Sequence, residues 1–313
     1  MPSEPIELSI VTAARNECGN VEGFLRGALA AVAELGVTAE IVFIDDGSGD
    51  GTAAAVEEFI RASGAGNIRL LRHRQPSGLS AALATGFAQA RGRLVCLVPA
   101  DLESLPQDDV PRLYRAMDAR TDVVCGRRLR RGDGKDLSSR VYGFGNRLLF
   151  GVRVHDGNWI KLVRREKLAG LWIYPDWHRF LMAMLARRGC RIKEVETLWH
   201  RRQSGKSKYG LARIPAGIAG AIAVKTFLSF RDRALLFFLW VALWLGLGAL
   251  VLAVAAIWAG HRALIWVPAW VLCGAMLSAG AVALALGLVL EFGRWERGPP
   301  APAPLVDADS PAQ

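Results

Sequence analysis

Two acidic pairs and two basic clusters are the residues of this chain best suited to chemistry. Ile41-Val42-Phe43-Ile44 runs straight into Asp45-Asp46-Gly47-Ser48-Gly49-Asp50-Gly51-Thr52. Four apolar residues predict a strand buried on both faces. The acidic, glycine-loosened turn then sets Asp45 and Asp46 beyond the strand's carboxyl end, where open α/β sheets bind ligands. An ionised carboxylate only accepts hydrogen bonds, so the pair suits ribose hydroxyls or base N–H groups; a tight turn with helix-capping Asp residues uses the same letters. Val98-Pro99-Ala100-Asp101-Leu102-Glu103 ends a second apolar run and aims Asp101 at the same edge. With Glu103 it offers the hard oxygen ligands that Mg2+ or Mn2+ takes beside a diphosphate. Gly126-Arg127-Arg128 and the segment Arg202 to Lys208 add cations of the kind that hold phosphate.

The elements that must position these groups alternate. Strands are predicted at Leu8–Thr12, Ile41–Ile44, Ile68–Leu71, Leu94–Val98, Asp122–Cys125 and Arg191–Val195. Helices are predicted at Asn20–Leu35, Thr52–Ser63, Gly78–Ala90, Asp109–Ala119, Ser138–Phe150 and Trp177–Arg188, the last with Asp176 as its cap. This order describes βαβ units and a doubly wound, mostly parallel α/β sheet.

The chain has 313 residues, a net charge of +10 and a pI near 9.8. No charged residue falls between Ala234 and Gly260 or between Ala263 and Leu290. Each run exceeds the ~20 residues that cross a bilayer and neither has a polar face, so a two-span hairpin at about 234–259 and 263–290 is expected. Lys225, Arg231 and Arg233 precede it, Arg294 and Arg297 follow it, and Arg262 alone lies between. The excess of cations outside the hairpin predicts both termini on the cytoplasmic side. The first residues lack a basic region and apolar core, so no signal peptide is expected. Five scattered cysteines without a C-x-x-C pair read as reduced thiols. Residues 207–233 read as interfacial helices, and the Pro/Ala-rich stretch 291–313 as a disordered cytoplasmic tail.

With these pieces assembled, residues 1–206 resemble a family 2 glycosyltransferase of GT-A fold, in the branch that makes dolichyl- or polyprenyl-phosphate sugars. Ile44-Asp45-Asp46-Gly47-Ser48 matches the family's D-D-G-S, and Arg202-Gln203-Ser204-Gly205-Lys206-Ser207-Lys208 matches its R-x-x-G-x-S-K. Ala13-Ala14-Arg15-Asn16-Glu17 stands at the opening P-T-Y-N-E, keeping Asn and Glu, and Pro99-Ala100-Asp101 stands at D-x-D, with the first acid lost and Glu103 two residues on. The resemblance implies a nucleotide-sugar site of Ala13, Arg15, Glu17, Phe43, Asp45, Asp46, Ala100, Asp101, Arg128 and Lys161. It implies a metal, Mg2+ or Mn2+, at Asp101 and Glu103, and phosphate or lipid-phosphate contacts from Arg128, Arg202, Ser207 and Lys208. Asp156 and Lys161 match a D-x-x-S-G-[FY]-[RK] element whose middle differs.

The expected reaction is transfer of a sugar, with inversion, from a nucleotide diphosphate to a polyprenyl phosphate on the cytoplasmic membrane face. A phosphate monoester is mostly dianionic near neutral pH, so it needs no general base. A hydroxyl acceptor is the nearest alternative and would need one, for which Asp156 and Asp176 are the candidates and His178 a weaker one. A non-catalytic nucleotide-sugar-binding scaffold is the alternative from another class. The partners expected are the donor, the lipid acceptor and the membrane, with self-association left open and no nucleic acid.

Overall fold

The computed structural model describes residues 5–129, 143, 145, 147–152, 154–171, 173, 176–201, 214–230, 234–260 and 266–293. Four parallel strands build one half of a sheet: β1 (Leu8–Ala14), β2 (Ala39–Asp45), β3 (Ile68–Arg72) and β4 (Leu94–Leu97). Helices α1 (Val21–Leu35), α2 (Thr52–Ser63) and α3 (Leu79–Gln89) connect them, and α4 (Pro106–Ala116) leads onward. The other half holds β5 (Val123–Leu129), β6 (Lys161–Arg164) and β7 (Ile192–Leu198), giving the order β3-β2-β1-β4-β6-β5-β7. Among these strands β6 alone runs against its neighbours, β4 and β5. The expectation of a mostly parallel, doubly wound sheet therefore holds.

Burial explains the apolar runs. All residues of β4, and those of β2 after Ala39, are buried, and Phe43 sits edge-on to Phe24 of α1 at 6.0 Å between ring centroids. Helix α3 lies close against the sheet because Gly86 has no side chain: a Cβ there would come within 2.5 Å of Val11. The boundaries of α2 follow the sequence because Gly51 and Gly64 flank it in the left-handed region, where a glycine ends a helix without steric penalty.

Three expectations change. The helix expected at Asp109–Ala119 is α4, starting three residues earlier with Pro106 in its first turn. Asp176 makes no capping bond and has φ 63°, and the segment after it opens as a 3-10 turn, Trp177–Phe180, before α6 (Leu181–Arg187). Strand β6 is an addition to the expected elements; it is followed by a single helical turn, α5 (Arg165–Leu168).

The chain divides into two compact units, one reaching to Ile222 and the other starting at Ala223. Helix α7 (Ile214–Phe230) is apolar around its girth, and its Lys225, Thr226 and Ser229 cluster toward one end, so it lacks the polar stripe of a two-faced surface helix. Helices α8 (Ala234–Ala259) and α9 (Trp266–Gly293) contain apolar stretches of 24 and 23 residues, long enough to cross a membrane. They pack through small residues: a Cβ on Gly287 would meet Phe238 at 2.8 Å, and one on Gly248 would meet Met276 at 2.4 Å. The surfaces left outside are large and apolar, Trp240, Trp244 and Trp258 among them.

Candidate active site

The carboxyl ends of β1 and β2 lie side by side, with Ala14 opposite Asp45. The loops beyond are laced together. Asn16 N–H donates to Ser48 Oγ (2.9 Å), Gly49 N–H to Asn16 Oδ1 (3.0 Å), Glu17 N–H to Thr52 Oγ1 (3.0 Å) and Cys18 N–H to Asp50 (3.1 Å). Asn20 donates to Glu17 at 2.6 Å and so orients its carboxylate. Ala13 is half-buried at the strand end and Arg15 is exposed beside it. Phe43 is a correction: it is fully buried in the core against Phe24, so it packs the sheet and does not face a ligand.

The two acids of the D-D pair do different work. Asp46 accepts from His73 Nδ1 (2.8 Å), Ser77 N–H (2.8 Å) and Gly78 N–H (2.8 Å), and His73 Nε2 in turn lies 3.0 Å from Thr85 Oγ1. Its carboxylate is thus an internal clamp on the loop leading into α3, with most of its acceptor capacity taken. Among the described residues Asp45 accepts at its carboxylate only from Ser48 N–H, at 3.3 Å, and keeps acceptor capacity for a ligand. Replacing Asp46 by Ala would leave a buried His and two N–H groups without their acceptor. The expected loss is roughly 3–5 kcal/mol of stability, measured by denaturant unfolding.

At the end of β4, Asp101 Oδ1 accepts Glu103 N–H (3.2 Å). Leu102 between them has φ 57° and inserts, 4 % exposed, above Gly23 of α1. The described non-glycine residues with positive φ are Asn16, Leu102 and Asp176, all of them in loops that carry candidate residues. Such conformations persist where the surroundings enforce them, and they concentrate at functional sites. Behind the acidic loop, buried Ser104 donates to buried Asp109 (2.6 Å) and His200 N–H donates to Glu103 O (2.9 Å).

Burial pushes Asp109 up to about 6, only partly offset by the Ser104 hydroxyl and the Arg112 charge. Its folded-state pKa lies above the unfolded one, so its contribution to stability is full below about pH 4 and declines as pH rises from there to about 6. The decline integrates to roughly 2–3 kcal/mol. Asp109→Asn is therefore expected to remove that pH dependence and raise the melting temperature near neutral pH, read from thermal unfolding across pH.

The third group lies on β5, β6 and the loops beside them. Arg128 forms a bidentate pair with Asp156 (Nη2 to Oδ1, 2.9 Å) and stacks over Trp159 at 4.5 Å from the ring centroid. Trp159 is held by its Nε1–H on Thr197 (2.9 Å). Lys161 stands between Leu97 and Cys125 on the flanking strands, 6 % exposed, with Nζ donating to Trp159 O (2.7 Å). Burial lowers its pKa. His178 approaches from the 3-10 turn and contacts Ser80 of α3. Asp176 is exposed.

Arg202, Ser207 and Lys208, with Arg130, lie outside the described residues. Among the described residues no group of three His, Cys, Asp or Glu could enclose a metal. Asp101 with Glu103 therefore does not belong to an all-protein metal cage among the described residues. Sequence reasoning missed His73, Ser80 and Trp159. His73 and Ser80 are joined to the site only by contacts 27 and 98 residues distant. A cavity of about 580 Å3 lies at the opposite, amino edge, lined by Arg93, Asp122, Arg164, Lys167 and Arg191 among others. Its charges are mutually satisfied, with Arg191 pulling Asp122 down to about 2, so it staples strands.

Comparison with known proteins agrees with this geometry. The chain is 30 % identical over 260 residues to the dodecaprenyl-phosphate galacturonate synthase of Rhizobium johnstonii, covering 81 % of this chain and 76 % of that one. It is 31 % identical over 221 residues to the undecaprenyl-phosphate 4-deoxy-4-formamido-L-arabinose transferase of Pseudomonas aeruginosa, covering 68 % of this chain and 64 % of that one. The chain thus spans just under two thirds of the second relative's length. Among solved structures, glucosyl-3-phosphoglycerate synthase from Mycobacterium tuberculosis with Mn2+, UDP and glucosyl-3-phosphoglycerate superposes with a TM-score of 0.53. It is 20 % identical and is matched over 71 % of this chain and 79 % of that one, which establishes the GT-A fold. Residues 9–213 match the family model for glycosyl transferase family 2, and the chain belongs to that family.

Proposed function

We propose that this glycosyltransferase moves a sugar from a nucleotide diphosphate to a polyprenyl phosphate at the cytoplasmic face of a membrane, with inversion at the anomeric carbon. The observation that carries the reading is the likeness, over 81 % and 68 % of the chain, to two transferases named for polyprenyl-phosphate products. The site's acids point the same way. Asp156, a base that a hydroxyl acceptor would need, has both oxygens on Arg128, and Asp176 is exposed at the start of its turn. A phosphate dianion needs no such base.

In this mechanism Asp45 and Glu17 hold the nucleoside, and Arg15 covers it. Asp101 and Glu103 would hold Mg2+ or Mn2+, which when bound supplies positive charge beside the diphosphate. Lys161, desolvated between two strands, and Arg128 provide fixed charge for the departing nucleoside diphosphate without solvent reorganisation. Arg202, Ser207 and Lys208, in the segment that precedes the membrane-crossing helices in sequence, hold the acceptor phosphate. In-line attack by a phosphate oxygen forms the new C–O bond as the bond to the diphosphate breaks. Binding both phosphates in one cleft supplies the proximity.

The direct test incubates membranes holding the protein with labelled UDP- and GDP-sugars and undecaprenyl phosphate, then extracts lipid. A labelled, mild-acid-labile lipid supports the reading; bound nucleotide with no lipid product from any donor overturns it in favour of a binding scaffold. Orientation has its own test. Cysteine replacing His261 should be labelled only from the non-cytoplasmic side and cysteine replacing Asp307 only from the cytoplasm. Labelling of both from one side of intact membranes would exclude the two-span hairpin.

A further inference from the structure

His178 has a role beyond the contacts just assigned. Its backbone N–H donates to Ser80 Oγ at 3.3 Å, and its Nδ1 lies 3.0 Å from the same oxygen. Ser80 is buried, 4 % exposed, near the start of α3. A hydroxyl carries one proton. Ser80 Oγ has a second lone pair besides the one facing the His178 backbone, so it pairs with Nδ1 as donor or as acceptor and holds the ring either way. In a neutral ring Nε2 then offers a single hydrogen bond, of the opposite sense to that of Nδ1. The ring is neutral: burial, followed by the neighbouring Arg179 charge, takes its pKa down to about 4. Nε2 has no hydrogen-bond partner among the described residues, and His178 is half-buried. Lys161 is close enough to disfavour charge on the ring further.

The anchor is itself built into the donor side of the site. Ser80 follows Ser77 and Gly78, whose N–H groups are clamped by Asp46, the neighbour of nucleoside-facing Asp45. The left-handed Asp176 (φ 63°) turns the chain so that Trp177–Phe180 meets α3. A neutral, immobilised imidazole nitrogen is ill matched to a diphosphate, which Arg and Lys serve better, and well matched to a sugar hydroxyl, which both donates and accepts. We infer that His178 contacts the transferred sugar through Nε2, hydrogen-bonded to one of its hydroxyls, with Ser80 as the residue that positions it. This assignment rests on the glycosyl-transfer reading above and deepens it.

The test uses the full chain in detergent or nanodiscs. Binding of UDP and GDP alone is compared with that of UDP-glucose, UDP-galactose, UDP-glucuronate, UDP-galacturonate and GDP-mannose, and transfer to undecaprenyl phosphate is followed with the best donor. Wild type should bind one sugar nucleotide more tightly than its bare nucleotide. His178→Ala should weaken that sugar nucleotide about tenfold while leaving the bare nucleotide and the KM for undecaprenyl phosphate unchanged. His178→Gln, which returns a neutral hydrogen-bonding amide near the Nε2 position, should recover most of the loss. Ser80→Ala should fall between, with an unaltered pH profile around neutrality, since no proton moves. Equal weakening of bare and sugar nucleotides, a change confined to the lipid KM, no effect of His178→Ala, or no sugar preference in the wild type would overturn the assignment. Should the binding results appear as expected with no lipid product formed, the proposed acceptor is wrong and the sugar contact stands.

Discussion

Asp101→Asn should lower sugar transfer at least a hundredfold while leaving the fold and membrane insertion intact. The charge of Asp101 is the only one left where family members carry D-x-D, because Pro99 fills the first acid's place. The Asp101–Glu103 turn is held by means that Asn preserves: the bond from Glu103 N–H needs only a side-chain oxygen, and Leu102 is packed independently above Gly23. What Asn cannot supply is the negative charge that a hard divalent cation requires. Loss of one preorganised electrostatic contact at developing charge reduces turnover by roughly 10²–10³. Glu103→Gln should raise the concentration of Mg2+ or Mn2+ needed for half-maximal rate, and Pro99→Asp should be tolerated or lower it. Rates in metal-buffered assays, with unfolding curves for each variant, distinguish these outcomes. Full activity of Asp101→Asn in the presence of a chelator would remove the metal from this site.

The fold is legible where local chemistry and burial agree. Helix α2 begins and ends where Gly51 and Gly64 place it, and β2 reads as apolar because both its faces are covered. Strand β6 is illegible because its four residues, Lys161–Arg164, begin with a cation that in isolation argues for solvent. Lys161 is buried there only because β4 and β5 close around it. The displaced start of α4 has a local reason: Pro106 is the better first-turn signal, and Asp109, read as the start, is the acid of its first turn.

The site is legible as types and edges, not as roles. Asp45 and Asp46 look alike in sequence; what separates them is His73, Ser77 and Gly78, brought up by β3 and the turn after it. Phe43 neighbours the acidic pair and so reads as a ligand contact, yet core packing with Phe24 claims it. His178 reads in sequence only as a weak candidate base, since Ser80, which holds its ring, lies 98 residues away.

The acceptor separates the two enzymatic readings most sharply. Arg202→Ala and Lys208→Ala should each reduce transfer to polyprenyl phosphate roughly ten- to a hundredfold, the effect of losing one charge-assisted phosphate contact worth about 1.5–3 kcal/mol. Both residues fall in the R-x-x-G-x-S-K segment, which follows closely on β7 and its pairing with β5, the strand of Arg128. Arg130→Ala should have little effect, since a lone cation near a membrane gains about 1 kcal/mol from anionic headgroups and need not touch substrate. A polyprenol without its phosphate should not be glycosylated by any of these proteins. Its hydroxyl stays protonated at neutral pH and would need a base, whereas Asp156 is engaged by Arg128, and His178, its pKa taken down to about 4, is too weak a base to take that proton efficiently. Initial rates with undecaprenyl phosphate and undecaprenol, measured side by side, discriminate between the two acceptors. Efficient glycosylation of the free alcohol, or unchanged kinetics in both Arg202→Ala and Lys208→Ala, would reassign the acceptor to a hydroxyl, with Asp176, or Asp156 released from Arg128, as its base.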